Sequence, residues 1–241
     1  MFESKSGILA IAGLGFFALA FVSNALLPAL MYQDLPEQTV EEVVNANVLV
    51  QFEDLAKRFP DAFSEHYGEP TKEACAEALE LGRKIYVGEG CWHCHSQFIR
   101  PVSNEDERWG PVAESWEYQN ELQRPVLFGT RRVGPDLSRE AGVRSNDWHA
   151  VHFYQPDMVS PNSPMPRYEW FFDESPDAPN KRGLAIITFV QWLGSWRGEY
   201  PSYDELPDMS VTELPPPPPQ PAVQNGNAAG GNGDGGQANN N

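Results

Sequence analysis

Five consecutive residues limit this chain more than any other feature: Cys91-Trp92-His93-Cys94-His95. The pattern is C-x-x-C-H, the attachment sequence of c-type haem. Two cysteines three apart on one turn can reach both vinyl groups of one haem edge and form thioethers. A histidine directly after the second cysteine then lies beneath the iron as its proximal ligand. A zinc site would need two more ligands, and the chain has no second cysteine pair. A thioredoxin-like dithiol would want a βαβ setting, and strand-like runs are scarce. One covalent haem c bound through Cys91, Cys94 and His95 is the reading that remains.

The flanks of the motif suit such a group. Ala74, Cys75, Ala78, Leu79, Gly82, Ile85 and Tyr86 fall at helical spacing on one apolar stripe, and Gly88 and Gly90 end that helix just before Cys91. After Pro179 a second stripe follows, Leu184, Ile187, Val190 and Leu193, with Phe189, Trp192 and Trp196 around it. Gly82 would let the two helices cross closely. A haem needs an apolar clamp of this kind, because water around the iron lowers its potential; two core helices packing on each other would use the same residues. Cys75, on the first stripe, reads as a small buried thiol.

The sixth ligand should lie well downstream. Met165, in Ser163-Pro164-Met165-Pro166, is the first candidate, since flanking prolines stiffen the loop that must present sulfur to iron. Met158 is the second, and His149 and His152, three apart on one helical face, compete. His93 cannot easily reach the same iron as His95 and reads as a polar residue near the haem edge. Gly134-Pro135-Asp136-Leu137 suggests a tight turn able to offer a backbone carbonyl to the ring N–H of a metal-bound histidine. Arg131 and Arg132 could neutralise haem propionates; a solvated surface role would explain them as well.

The ends differ from the middle. Gly7 to Tyr32 carries no charged residue and is long enough to cross a bilayer, which takes about 20 helical residues. A cleaved signal peptide competes, but its apolar region runs only about 7–15 residues. Lys5 precedes the span, and Asp34, Glu37, Glu41 and Glu42 follow it, so the positive-inside rule leans toward an exported body. The 241 residues divide in expectation into an anchor (1–33), a helical periplasmic linker acting as a solvated spacer (34–70), a mono-haem domain (71–200) and a disordered Pro/Gly/Asn-rich tail (201–241). Seventeen Lys+Arg against thirty-four Asp+Glu give a net charge of −17, which excludes nucleic acid and suits a soluble basic electron donor. The stretch from Glu105 to Glu121 carries more carboxylate than folding calls for.

Three segments together go beyond a generic haem motif: GRKIYVGEGCWHCHSQFIRP, GTRRVGPDLSREAG and SNDWHAVHFYQPDMVSPNSPMP. In order and content they resemble the membrane-anchored mono-haem cytochrome c subunit, subunit II, of cbb3-type cytochrome c oxidases, from about Gly82 to Trp170. That resemblance implies an all-α, class I cytochrome c-like domain in the periplasm, behind one transmembrane helix in the bacterial cytoplasmic membrane. It implies haem attachment at Cys91 and Cys94, iron ligation by His95 and Met165, and support of the histidine by Pro135. It also implies a haem–copper catalytic subunit and a di-haem cytochrome c subunit as partners. With both axial positions filled, the chain would relay electrons and perform no oxygen chemistry itself. A nitric oxide reductase subunit, a free-standing anchored carrier and a haem sensor with an open iron position are the alternatives.

Overall fold

The computed structural model describes residues 4–33 and 37–197. The tail expected over 201–241 lies outside these residues. Among them the protein is all-α: it has no strand, only isolated bridges pairing Gln38 with Asn120 and Phe172 with Pro179.

The N-terminal helix runs as α1 (Lys5–Phe21) and α2 (Leu27–Tyr32), joined by a π turn (Val22–Leu26). Pro28 explains the join. It has no N–H for the carbonyl four residues back, and just before it the Leu27 N–H reaches Val22 O, five residues away. The continuous helical stretch Lys5–Tyr32 is 28 residues long, and its most apolar 18-residue window has a mean hydropathy of 2.1 and no buried residue. At about 1.5 Å per residue it exceeds the roughly 30 Å of bilayer hydrocarbon. A single apolar helix of this length fits a transmembrane anchor.

The core is centred on two crossing helices, α6 (Lys72–Gly88) and α9 (Lys181–Trp192). Thr71 caps α6 through the Ala74 N–H, and Asn180 caps α9 through the N–H groups of Arg182 and Gly183. The crossing is as close as Gly82 promises: a Cβ there would collide with Ala185 O and lie 2.5 Å from Phe189 Cβ. Every residue of α9 from Gly183 to Trp192 is buried, which is why its sequence is apolar on all sides. Cys75 is fully buried on α6, and burial pushes its thiol up to about 12.

Residues 40–66 are largely helical and pack into the core rather than standing as a solvated spacer. After the short α3 (Val40–Val43), α4 (Ala46–Arg58) and α5 (Pro60–His66) bury Val48, Phe52, Leu55 and Phe63 in the same core as α6 and α9. At about 1.5–3 kcal/mol per large apolar side chain, that burial is too large to leave in water. Phe52 packs edge-on against Phe63 at 4.8 Å, and Trp192 of α9 donates to Val43 O at 3.2 Å. From α8 (Asn146–Tyr154), the Asn146 amide donates to Gln51 O and Asp54 Oδ2 at 3.1 and 2.8 Å, fixing α8 on α4.

The acidic stretch also has a structural use. Glu105 in α7 (Glu105–Trp109) is buried against Arg100 and Arg132, and Glu117 is buried between Arg139, Arg197 and Trp196. Two of the carboxylates that looked surplus are thus anchors for buried guanidinium groups.

Candidate haem site

The C-x-x-C-H motif begins where α6 ends. Gly90 takes a left-handed φ of 73°, turning the chain into a 3₁₀ turn (Cys91–His93). The His95 N–H then donates to Cys91 O at 2.9 Å, so both thiols and the imidazole belong to one compact turn.

A second segment locks onto this turn from far along the chain. Arg131 N–H donates to His93 O, Gly134 N–H to Cys94 O and Leu137 N–H to Ser96 O, at 3.2, 3.0 and 2.9 Å. This register brings Pro135 O to 2.9 Å from His95 Nδ1. The carbonyl accepts the Nδ1 proton and leaves Nε2 with its lone pair, the tautomer that metal ligation requires. Burial lowers the His95 pKa, against the pull of the Pro135 carbonyl and of Asp136, so the ring is favoured in its neutral form. Gly134 is required on contact grounds: a Cβ there would run into the His95 ring. Asp136 underpins the turn, accepting from Ser96 Oγ, the Phe98 N–H and the Ser138 N–H.

These residues wall a cavity of about 830 Å³. Cys91, Cys94, His95 and Pro135 line it, and so does Met165, carried on a run without regular structure between α8 and α9. Among the described methionines Met165 is the one in the lining; Met158 is 62 % exposed elsewhere. His149 and His152 of α8 line the same cavity, and His149 Nε2 and His152 Nδ1 are buried without a hydrogen-bond partner. Burial lowers His149 to about 3 and His152 to about 4, so both rings are neutral at pH 7.

His93 turns away, its Nδ1 2.9 Å from Thr130 Oγ1 and its ring stacked on Trp92. Arg131 and Arg132 do not line the cavity either. Arg131 is exposed, while Arg132 is drawn to Glu105 and donates to Phe98 O. The arginines that do line it are Arg108, Arg139 and Arg144. Of these Arg139 is already paired with Glu117, at 2.7 and 2.9 Å. The sequence reading also passed over Glu140, Trp148 and Tyr168, all in the lining, because no motif spacing marks them.

The residues present fit a haem. Two thiols and a neutral, correctly oriented imidazole meet in one apolar-walled cavity with a methionine. A buried imidazole N without an acceptor or donor of its own is what a propionate would satisfy. Bound there, a haem would supply one-electron redox chemistry.

Among curated proteins, none matches the chain. Residues 34–194 match the family described as cytochrome c oxidase, mono-heme subunit/FixO. The match begins in the segment whose helices complete the core and ends two residues past α9, taking in every element of the cavity wall. It accounts for the all-α, class I cytochrome c-like fold and for a place in a multi-subunit oxidase beside a catalytic subunit. The chain belongs to the FixO family, the mono-haem subunits of cbb3-type cytochrome c oxidases.

Proposed function

We propose that this chain carries one covalent haem c and relays electrons through it to the haem–copper subunit that reduces oxygen. Cys91 and Cys94 would form the thioethers, and His95 Nε2 and the Met165 sulfur would hold the iron. The observation that carries this reading is the 2.9 Å contact of His95 Nδ1 with Pro135 O, in a cavity that also holds both thiols and Met165. With His95 and Met165 both holding it, the iron would have no position open to oxygen, and the chain's own part would be to bind, orient and exclude water.

The propionates would meet Arg144, Arg108 and the His149 N–H rather than Arg131 and Arg132. The haem domain would face the periplasm, with the single helix in the bacterial cytoplasmic membrane; Lys5 before the span and the acidic residues after it support that orientation. The chain would divide into an anchor and one domain that includes residues 37–70, a reading that the shared core supports. A di-haem cytochrome c subunit would be a further partner, and the −17 charge favours a soluble basic donor docking electrostatically.

The test is a tagged full-length chain purified from native membranes in mild detergent. Denaturation should leave haem bonded to the chain, and a Cys91→Ala, Cys94→Ala double variant should lose it. A reduced-minus-oxidised spectrum should show haem b beside haem c, with oxygen uptake in the same fraction. Haem c alone, with the detergent varied, would make this a free-standing carrier. For the donor, electron uptake should slow steeply as salt rises, and a flat response would dismiss electrostatic docking.

A further inference from the structure

The cavity wall holds a carboxyl that haem attachment and iron ligation leave unused. Glu140 lies in the loop after the proximal turn, and its Oε1 is 3.8 Å from His149 Nε2, too far for a hydrogen bond. Its side chain is 16 % exposed and that of His149 is 4 % exposed. The backbone carrying each is anchored. The loop is tied to α9 and the residue just after it, by the Ala141 N–H on Leu193 O and the Gly142 N–H on Gln191 Oε1, each at 2.9 Å. His149 is fixed by α8.

The charges around Glu140 can be named element by element. From the following loop, Arg144 favours its ionised form, while burial, the larger effect, raises it to about 7. From α8, His149 and His152 are neutral at that pH and do not compete for the proton. From its own loop, Arg139 is committed to Glu117, and Asp136 is held by Ser96, Phe98 and Ser138. Elsewhere in the lining, Arg108 is exposed and lies over the Trp109 ring. Glu140 is thus a carboxyl poised between two protonation states, in the cavity assigned to a group whose charge changes by one.

We propose that Glu140, with His149 beside it, is a proton-exchanging group coupled to the redox state of the bound haem. The inference rests on the haem reading above. Glu140 is protonated when the iron is ferrous. As one electron leaves for the next redox centre of the oxidase, the positive charge left on the haem favours the carboxylate, and one proton goes to water. Re-reduction by the donor returns one electron from the donor and one proton from water.

The sign follows. Protonated Glu140 goes with the reduced state, so raising the pH through the neutral range favours oxidation and lowers the midpoint potential. The test is a spectroelectrochemical titration of the haem-loaded full-length chain in detergent, at pH values on both sides of 7. The wild-type midpoint should fall as pH rises, and Glu140→Gln should flatten the dependence without changing the haem spectrum. A flat wild-type profile, or a slope that survives in Glu140→Gln, would overturn the proposal. If the glutamine variant fails to take up haem, Glu140→Asp decides: a slope centred at a displaced pH supports the assignment, and an unmoved one sinks it. A wild-type chain without the haem spectrum is a different failure, that of the haem reading.

Discussion

The wall of the cavity behind His95 is stitched by backbone hydrogen bonds between residues about 40 positions apart, while the wall that carries Met165 is not. Residues 131–137 pair with residues 93–96, and Asp136 ties the two segments again through its carboxylate. Met165 has much less behind it. Its N–H reaches only the Ser163 hydroxyl at 3.2 Å, and the next tie to another element is the Tyr168 N–H on Phe153 O. Between those points the conformation rests on Pro164 and Pro166. In the first wall the His95 Nδ1 proton has its acceptor in Pro135 O, whereas His149 and His152 of α8 keep buried nitrogens without hydrogen-bond partners. The turn behind His95 is held by its own hydrogen bonds, and the side lined by α8 keeps polar atoms that a bound group could satisfy.

That contrast can be broken at several points. The largest effect should come from Gly134→Val, which drives a side chain into the His95 ring. Haem content by intact mass should fall to background, and a normally loaded variant would mean the interlocked wall is softer than its hydrogen bonds suggest. Met165→Leu should be milder. Haem stays bonded, the spectral signature of methionine ligation disappears, and the reduced protein gains carbon monoxide binding; an unchanged spectrum would assign the sixth position elsewhere.

Asp136→Ala leaves three donors without their acceptor, two of them backbone N–H groups. It should lower stability by about 3 kcal/mol or more in a denaturant titration, since hydrogen bonds to a charged group contribute about 1.5–3 kcal/mol each. The smallest effect is one of pH. His149 sits at about 3 in the folded chain, below the ordinary value of 6.5, so the unfolded state binds the extra proton. Its contribution is complete above the ordinary value and shrinks as pH falls toward 3, by about 2 kcal/mol at about pH 5. Unfolding midpoints at the two pH values should show the loss in the wild type and less of it in His149→Gln.

What the sequence made legible divides along similar lines. Cys91, Cys94, His95 and the Gly134-Pro135 turn were readable because chemistry fixes their spacing, and Gly82 because only a residue without a Cβ permits that crossing. The two apolar stripes announced α6 and α9 through their period. The helices of residues 46–66 were legible as helices but not as core, because an amphipathic stripe does not say what it packs against. Arg132 lies outside the cavity lining for a related reason. A guanidinium near a haem motif suggests a propionate partner, but Glu105, some 27 positions away in sequence, reaches it first. Glu140 left no signal at all, since its character comes from burial among residues brought together only by the fold.

The interlock between the two segments bears on how the protein is made. In the folded chain Cys91 is 8 % exposed, and burial pushes its thiol up to about 12, so almost none of the reactive thiolate exists there. On the reading proposed here, bonding of the haem belongs to a stage when residues 91–95 are still open and residues 131–137 have not closed over them. Maturation would then run in one direction: the cofactor would go on first and the distant turn would seal it, and a chain that folded too early would have its Cys91 thiol shut away.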